Sequence, residues 1–396
     1  MKVVFITPVT PYKENMGGPS GHPYHLMMER PDNIDVTVYS YNNNNLSAEV
    51  IRQVEQELRV EIRLLKQPKW LQWIIRLHLT FIRLFLKYPI NYYIRLGERQ
   101  CAEVKNLKPD LIWVYSQEFS GILKQFKDFK RLHTVPDCYS LHFYRRLGKR
   151  QTLSNMKEFW RVVINYRKFY RMERNYDDGA NIVYHLVGEE DKNFLLEINP
   201  KLNAHFIRHP RYEIAEPQKP IHFSSPKIKL LIAGRCDFYM QQEADILCEE
   251  LRVKSEELAS FYTITFLGKG WEKHVETLKE AGYEVNHISF APDYIEEICK
   301  HDIQITPIAV GTGTKGKVLD AFANGLLVIG TPYALENIAV ENGISCIEYY
   351  HPLDAISILR SIPEDVETFE RMAEKGRERV LANHNRRLIA EQLFNI

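Results

Sequence analysis

The chain has 396 residues, 45% of them hydrophobic, enough for two globular domains and without a low-complexity tail beyond the short Asn run at 42–45. Its six cysteines (101, 138, 236, 248, 299 and 346) include no C-x-x-C pair, which argues against a zinc module or a disulfide framework and fits a reducing cytoplasm. The net charge of +1 conceals an asymmetry: residues 1–210 carry 32 Lys+Arg and 22 Asp+Glu, or +10, whereas residues 211–396 carry 20 and 29, or −9, so the first half is expected to meet something anionic, a membrane surface or a phosphate-bearing acceptor.

Residues 2–7 (KVVFIT) read as a central parallel strand, apolar through its middle, and predict a chain without a signal peptide. The next loop carries Gly17, Gly18 and Gly21 and leads to a helix around 24–29; it is not the G-x-G-x-x-G dinucleotide fingerprint. His22 and His25 are polar candidates there, and nothing in the spacing singles either out. A strand is predicted at 34–39 and a helix at 49–58. Residues 66–90 (KQPKWLQWIIRLHLTFIRLFLKYPI) combine Trp70 and Trp73 with many aliphatics, while Gln72, Arg76, Arg83 and Lys87 recur at intervals of four and seven. The pattern predicts one amphipathic helix over 68–88, ended near Pro89. Arg76 and Arg83 lie inside it, which argues against a transmembrane span. Two readings remain: peripheral contact with an anionic membrane, aromatics inward and arginines at headgroups, or burial against its own domain.

Further strands are predicted at 109–115 and 131–135, the latter running into Pro136, Asp137 and the segment DCYSLHFYRR. Residues 156–176 form a basic, aromatic helix that reads as a solvated face, and no nucleic-acid partner is expected. A strand at 182–187, a helix after Gly188 and a short strand within 204–210 complete the first half. Three prolines at 217–226 mark the linker. The expected domains are 1–215 and 216–378, with a closing helix at 379–396.

In the second half, strands are predicted at 228–233, before Gly234 and Arg235, at 262–267, and at 285–290, before Ala291, Pro292 and Asp293. A helix at 294–299 follows. Residues 302–336 (DIQITPIAVGTGTKGKVLDAFANGLLVIGTPYALE) carry the strongest signal. They read strand, glycine loop, helix, strand. Gly311, Gly313 and Gly316 let backbone amides approach a ligand, and the helix end adds its positive dipole. Lys315 and Lys317 add charge. Asp320, one turn into the helix, is placed to accept bonds from sugar hydroxyls. The loop is therefore a candidate diphosphate site with an attached ribose on Asp320, set against a plain glycine-rich turn with solvated lysines. Residues 311–317 also fit the first seven P-loop positions, yet Val318 stands where a magnesium-holding Ser or Thr belongs, so an NTPase is not expected.

The stretch GTGTKGKVLDAFANGLLVIGTPYALENI resembles the donor-site signature of glycosyltransferase family 4, of the GT-B fold. The resemblance implies two doubly wound Rossmann-like α/β domains facing a cleft. It implies transfer of a sugar from a nucleotide-diphosphate sugar, with no further cofactor and no metal. Of the two family glutamates, the one that grips the donor ribose maps onto Asp320, and the other onto Thr312, so the usual contact to the donor sugar falls to Thr312 or a backbone amide. Thr314 and Lys315 lie in the same loop. Arg235, in the family's G-R at a strand end, would stabilise the leaving diphosphate together with Lys317. Phe290 and Ala291 would meet the base, and Glu336 the donor sugar. In the first domain, D-x-x-S-L-x-x-x-R-R matches Asp137, Ser140, Leu141, Arg145 and Arg146, making Asp137 a candidate catalytic contact and His142 a weaker one. Gly17 and Gly18 take the role of the first cleft loop.

The resemblance implies a retaining hexosyltransferase acting on a glycan or lipid-linked acceptor, and the basic, amphipathic first half adds the expectation of surface polysaccharide biosynthesis, in the cytoplasm at the inner membrane face. The alternatives are a nucleotide-sugar 2-epimerase of the same fold and a degenerate, non-catalytic binding protein.

Overall fold

The computed structural model describes residues 1–15, 19–148 and 156–396. They form two compact units, Met1–Pro210 with Arg386–Ile396, and Arg211–Asn385. The first contains β1 (Lys2–Thr7), β2 (Asp35–Ser40), β3 (Glu61–Leu64), β4 (Leu111–Tyr115), β5 (Arg131–Thr134), β6 (Ile182–Leu186) and β7 (Ala204–Phe206). They pair in the order β3-β2-β1-β4-β5-β6-β7, all parallel.

Successive residues of these strands serve opposite faces. Val4, Ile6, Ile112 and Val114 enter one apolar layer, while Val3, Phe5, Leu111 and Trp113 enter the other. With helices over both faces, the central strands β1 and β4 read as continuous apolar runs rather than alternating ones. Trp113 stays satisfied at full burial because its Nε1 donates to Thr134 Oγ1 at 2.7 Å. The closing helix Arg386–Phe394 belongs to this unit. Ile389, Leu393 and Phe394 fill the second layer, and the Phe394 ring lies 5.6 Å from Trp113, edge-on.

The second unit holds β8 (Ile228–Ala233), β9 (Tyr262–Leu267), β10 (Glu284–Ile288), β11 (Ile303–Thr306), β12 (Leu327–Gly330) and β13 (Ile347–Glu348). Their order is β10-β9-β8-β11-β12-β13, again parallel. Each sheet reverses its winding direction once, between β1 and β4 in the first unit and between β8 and β11 in the second. In an open parallel sheet the crevice for a ligand opens beyond the carboxyl ends at that reversal. The two doubly wound α/β units expected from the alternation of strands and helices are the ones that form.

The single helix expected over 68–88 does not form. A helix spans Lys69–Arg76, and a 3-10 turn follows at Thr80–Leu84. The first ends in a Schellman motif on a non-glycine residue: His78 adopts φ 53°, its N–H donates to Ile75 O, and Leu79 N–H donates to Ile74 O. The Gln72–Lys87 polar stripe is therefore not one helical face. Apolar periodicity over that stretch reports a helical bias on both sides of the break but not the break itself.

Candidate functional site

In the second unit, β8 ends at Ala233 and passes through Gly234 (φ 140°) to Arg235. The ends of β8 and β9 approach so closely that a Cβ at Gly268 would lie 2.0 Å from the Gly234 carbonyl oxygen. Two glycines are required where these strands finish, and the chain then turns Arg235 out to solvent. Among the described residues Arg235 makes no hydrogen bond or ion pair; a guanidinium held at a strand end without a protein counter-charge suits a phosphate.

Across the reversal, β11 ends at Thr306 and opens into the glycine loop. Thr331 Oγ1 donates to Ile308 O at 2.7 Å, and Ala309 N–H donates to Tyr239 O at 2.7 Å, which ties the loop to the segment following Arg235. Gly313 takes φ 65°. Lys315 turns inward, its Nζ donating to the carbonyls of Thr312 at 2.7 Å and Gly313 at 2.8 Å. Its ammonium thus holds the loop in shape. Gly311 and Gly313 are buried, and Thr312 and Thr314 are half-buried along the same loop.

The helix Gly316–Ala323 follows. It buries Val318, Leu319, Ala321, Phe322 and Ala323, and it stops at Gly325 (φ 82°) with the two reverse bonds of a Schellman motif. Lys317 lies in its first turn with Nζ 5.3 Å from the Tyr294 ring centroid. The residue as a whole is exposed, but crowding of its ammonium by neighbouring atoms lowers its pKa, opposed by the charge of Asp320. Asp320 itself is buried. Loss of hydration, then repulsion from Glu213, pushes its carboxyl up to about 8, with Lys317 pulling the other way. Glu213 is brought there by Asn324, whose Oδ1 accepts from Ala215 N–H at 2.8 Å and whose Nδ2 donates to Glu213 O at 3.3 Å.

Between β10 and the short helix Tyr294–Ile298, Phe290 is 74% exposed and Ala291 half-buried, while Asp293 caps the helix by accepting from Glu296 N–H at 2.8 Å. An exposed phenyl ring at a strand end offers a stacking surface. Glu336 is half-buried at the end of the Pro332–Leu335 helix. The sheet order therefore gathers Arg235, the 311–316 loop, Lys317 and Asp320 at the carboxyl edge flanking the β8/β11 reversal. The sequence reading passed over Glu213, Tyr294 and Asn324. None belongs to a spacing pattern; each acts through a contact formed only when the unit folds.

In the first unit, Gly17 and Gly18 lie outside the described residues. Asp137 is half-buried just past β5, and Gln117 Nε2 donates to its carbonyl oxygen at 2.9 Å. The following helix, Tyr139–Leu147, starts at Cys138 with no side-chain cap from that residue. Asp191 accepts from Cys138 N–H at 2.8 Å and Glu173 from Ser140 N–H at 3.2 Å; the Ser140 hydroxyl also donates to Glu173. Glu173 is fully buried, and burial pushes its carboxyl up to about 7. At the carboxyl edge of β4, β6 and β7 lies a group of neutral rings. His22 Nδ1 is 3.0 Å from the Tyr115 hydroxyl, and the His22 ring centroid is 4.8 Å from His209 and 5.8 Å from His185. Burial holds His185 and His209 down to about 4 and His22 well below its ordinary value. Among the described residues no group of three or more His, Cys, Asp or Glu side chains is placed to hold a metal, and no helix is long and apolar enough to cross a membrane.

Residues 245–395 match a family model described as glycosyl transferase-like. No curated protein matches the chain by sequence. Solved structures resemble it over its full length. Anabaena HepE in complex with UDP has a TM-score of 0.63 at 12% identity, covering 100% of this chain and 99% of that one. Sucrose-phosphate synthase from Thermosynechococcus elongatus has 0.65 at 13%, covering 100% and 98%. WaaG, a glycosyltransferase involved in lipopolysaccharide biosynthesis, has 0.61 at 13%, covering 99% of each. At such identities the likeness establishes the architecture, two parallel-sheet α/β domains of the GT-B type.

Proposed function

We propose that this chain is a glycosyltransferase that transfers a sugar from a nucleotide-diphosphate sugar to a glycan or lipid-linked acceptor, a reading supported by the GT-B fold and by the match of residues 245–395 to a glycosyl transferase-like family model. The observation that carries the reading is the set at the β8/β11 reversal: an unpaired Arg235, a glycine loop tied to the segment after it, and a buried Asp320 one turn into the next helix. Arg235, Lys317 and the loop amides face the diphosphate and stabilise the charge that develops as it leaves. Asp320 holds the ribose, Phe290 and Ala291 the base, and Thr312, Thr314 and Glu336 the donor sugar; Lys315 keeps the loop formed. The first unit supplies the acceptor side, with Asp137 and the 17–18 glycines. No metal is required where cations and amides already neutralise the leaving group, and the anomeric configuration is retained. HepE, solved in complex with UDP and with UDP-glucose, supports a uridine nucleotide as the first donor to try.

The test is turnover. Incubated with a panel of UDP-, GDP-, ADP- and dTDP-sugars, the protein should release free nucleoside diphosphate from one of them, slowly to water and faster with extracted lipid-linked glycan, and the product linkage should keep the donor's anomeric configuration. Arg235→Ala should abolish release. Turnover that survives this change would overturn the assignment of the leaving-group site.

We also propose that the first unit docks on an anionic bilayer in surface polysaccharide assembly at the inner membrane face. Residues 62–97 contain seven Lys or Arg and no Asp or Glu. Within them Trp73, Ile75, Leu77, Phe81, Leu84 and Phe85 are exposed, Phe85 by 82%. Aromatic and aliphatic side chains ringed by cations fit the headgroup boundary. Co-sedimentation with phosphatidylglycerol vesicles should be strong, should weaken in high salt, and should fall at least tenfold in the double variant Trp73→Glu, Phe85→Glu. Equal binding by that variant would remove this surface from the account.

A further inference from the structure

Tyr294 opens the short helix after the candidate base loop. Its ring packs against the apolar layer that holds Val318, Leu319 and Phe322, and Lys317 Nζ rests 5.3 Å from its centroid. Its hydroxyl is buried and, among the described residues, has no hydrogen-bond partner. The electrostatic influence of Asp320 reaches it, raising its pKa further beyond the effect of burial. A buried hydroxyl without a partner costs free energy that a phenylalanine at the same position would not. The ring alone suffices for packing and for the lysine contact. The oxygen therefore has no hydrogen-bonding role among the described residues, and it feels the charge of Asp320, the carboxyl assigned to the ribose.

We infer that the Tyr294 hydroxyl is a donor-site contact, a hydrogen-bond donor to a ribose oxygen whose diol Asp320 accepts from, so that the pair selects ribonucleotides over deoxyribonucleotides. This rests on the donor-site reading above. The chemistry divides cleanly. Once ionised, as bound hydroxyl donors and Lys317 favour, Asp320 can only accept, and it takes the ribose O–H protons. Each ribose oxygen keeps lone pairs that a phenolic O–H can satisfy, and Tyr294 supplies it. Lys317, over the ring face, holds the tyrosine in place and remains directed at phosphate as a point charge. A ligand lacking the 2′-hydroxyl leaves Tyr294 unpaired and Asp320 one bond short, which is how a polar pocket rejects an analogue that is merely smaller.

The experiment uses the full chain, Tyr294→Phe, and matched pairs of ligands: UDP with dUDP, GDP with dGDP, ADP with dADP. Wild type should bind one ribonucleotide about tenfold more tightly than its 2′-deoxy partner. Tyr294→Phe should melt at the same temperature or higher without ligand, and it should lose about tenfold affinity for the ribonucleotide while binding the deoxynucleotide as wild type does. A loss of packing would instead lower the melting temperature and weaken both ligands alike. If Tyr294→Phe binds the ribonucleotide as tightly as wild type, or wild type does not discriminate within the pair, the inference is overturned while the donor site stands. If wild type binds no nucleotide of the panel, the donor-site reading has failed and this inference with it.

Discussion

The two sheets have the same strand order and the same point of reversal, yet opposite chemistry at the carboxyl edge. In the second unit the edge is charged: Arg235 exposed and without a partner among the described residues, Lys317 at the helix start, and Asp320 buried one turn into the same helix. In the first it is neutral and aromatic: His22, Tyr115, His185 and His209, with the imidazoles held uncharged by burial. Topology decides where each unit binds, and side chains decide what. Cations and amides suit a diphosphate. The rings of the first edge are buried and bonded to one another and to the backbone, so they shape that edge and bring no charge to it.

Breaking the charged edge should have the largest effect. Arg235→Ala should weaken nucleoside diphosphate binding by tenfold to a hundredfold and flatten its dependence on salt, because charge-assisted contacts to phosphate are both strong and screened. Titration against increasing salt measures both.

The pH response should separate the units next. Unfolded histidines take a proton near 6.5, whereas His133, His185 and His209 in the fold wait until about 4. The unfolded chain therefore binds more protons in that window. The first unit loses stability as pH falls below about 6.5, by up to about 1.4 kcal/mol per pH unit for each histidine, and the loss levels off near 4. Glu173, raised to about 7, offsets one of them. Asp320 works in the opposite sense, since its folded pKa lies above the unfolded one: the second unit loses stability as pH rises from about 4 to about 8. Amide exchange corrected for intrinsic rates should show β4–β6 less protected at pH 5 than at 7.5, and the Gly316–Ala323 helix less protected at 8.5 than at 5.

A smaller effect should follow from Asp320→Asn. The amide cannot ionise, so the unliganded variant should melt a few degrees above wild type at pH 8.5 and close to it at pH 5. The smallest effect tests the separation itself. His22→Ala should leave nucleoside diphosphate affinity within about twofold of wild type, since the ring belongs to the neutral edge of the other unit. A large loss there would break the comparison.

Much of the charged edge was legible in the sequence because local signals agreed. At 302–336 a buried strand, three loop glycines, a helix and a stop glycine each have their own short-range cause, and Lys315, Lys317 and Asp320 stand within that segment, with Arg235 at an equally legible strand end. Strands β8 and β9 were readable to the residue for the same reason. The neutral edge was not, because His22, Tyr115, His185 and His209 come from four separated elements and meet only when the sheet closes. Glu173 was hidden likewise: on a basic helix it reads as one more surface charge, and its part as acceptor for the start of the preceding helix depends on a contact 33 residues away in the chain. At 68–88 the apolar period was legible and the break at His78 was not, since a left-handed histidine leaves no compositional trace where glycine would have.

The central claim is that the second unit holds a nucleoside diphosphate on Asp320 and the loop before it. Calorimetric titration of UDP, GDP, ADP and dTDP into wild type and Asp320→Ala tests it most directly. The account predicts saturable one-to-one binding of a ribonucleoside diphosphate to wild type, and at least thirtyfold weaker binding to the variant, as expected when a hydrogen-bonding carboxyl is removed from a buried site and its partners on the ligand are left unpaired. Binding to neither protein, or equal binding to both, would contradict it.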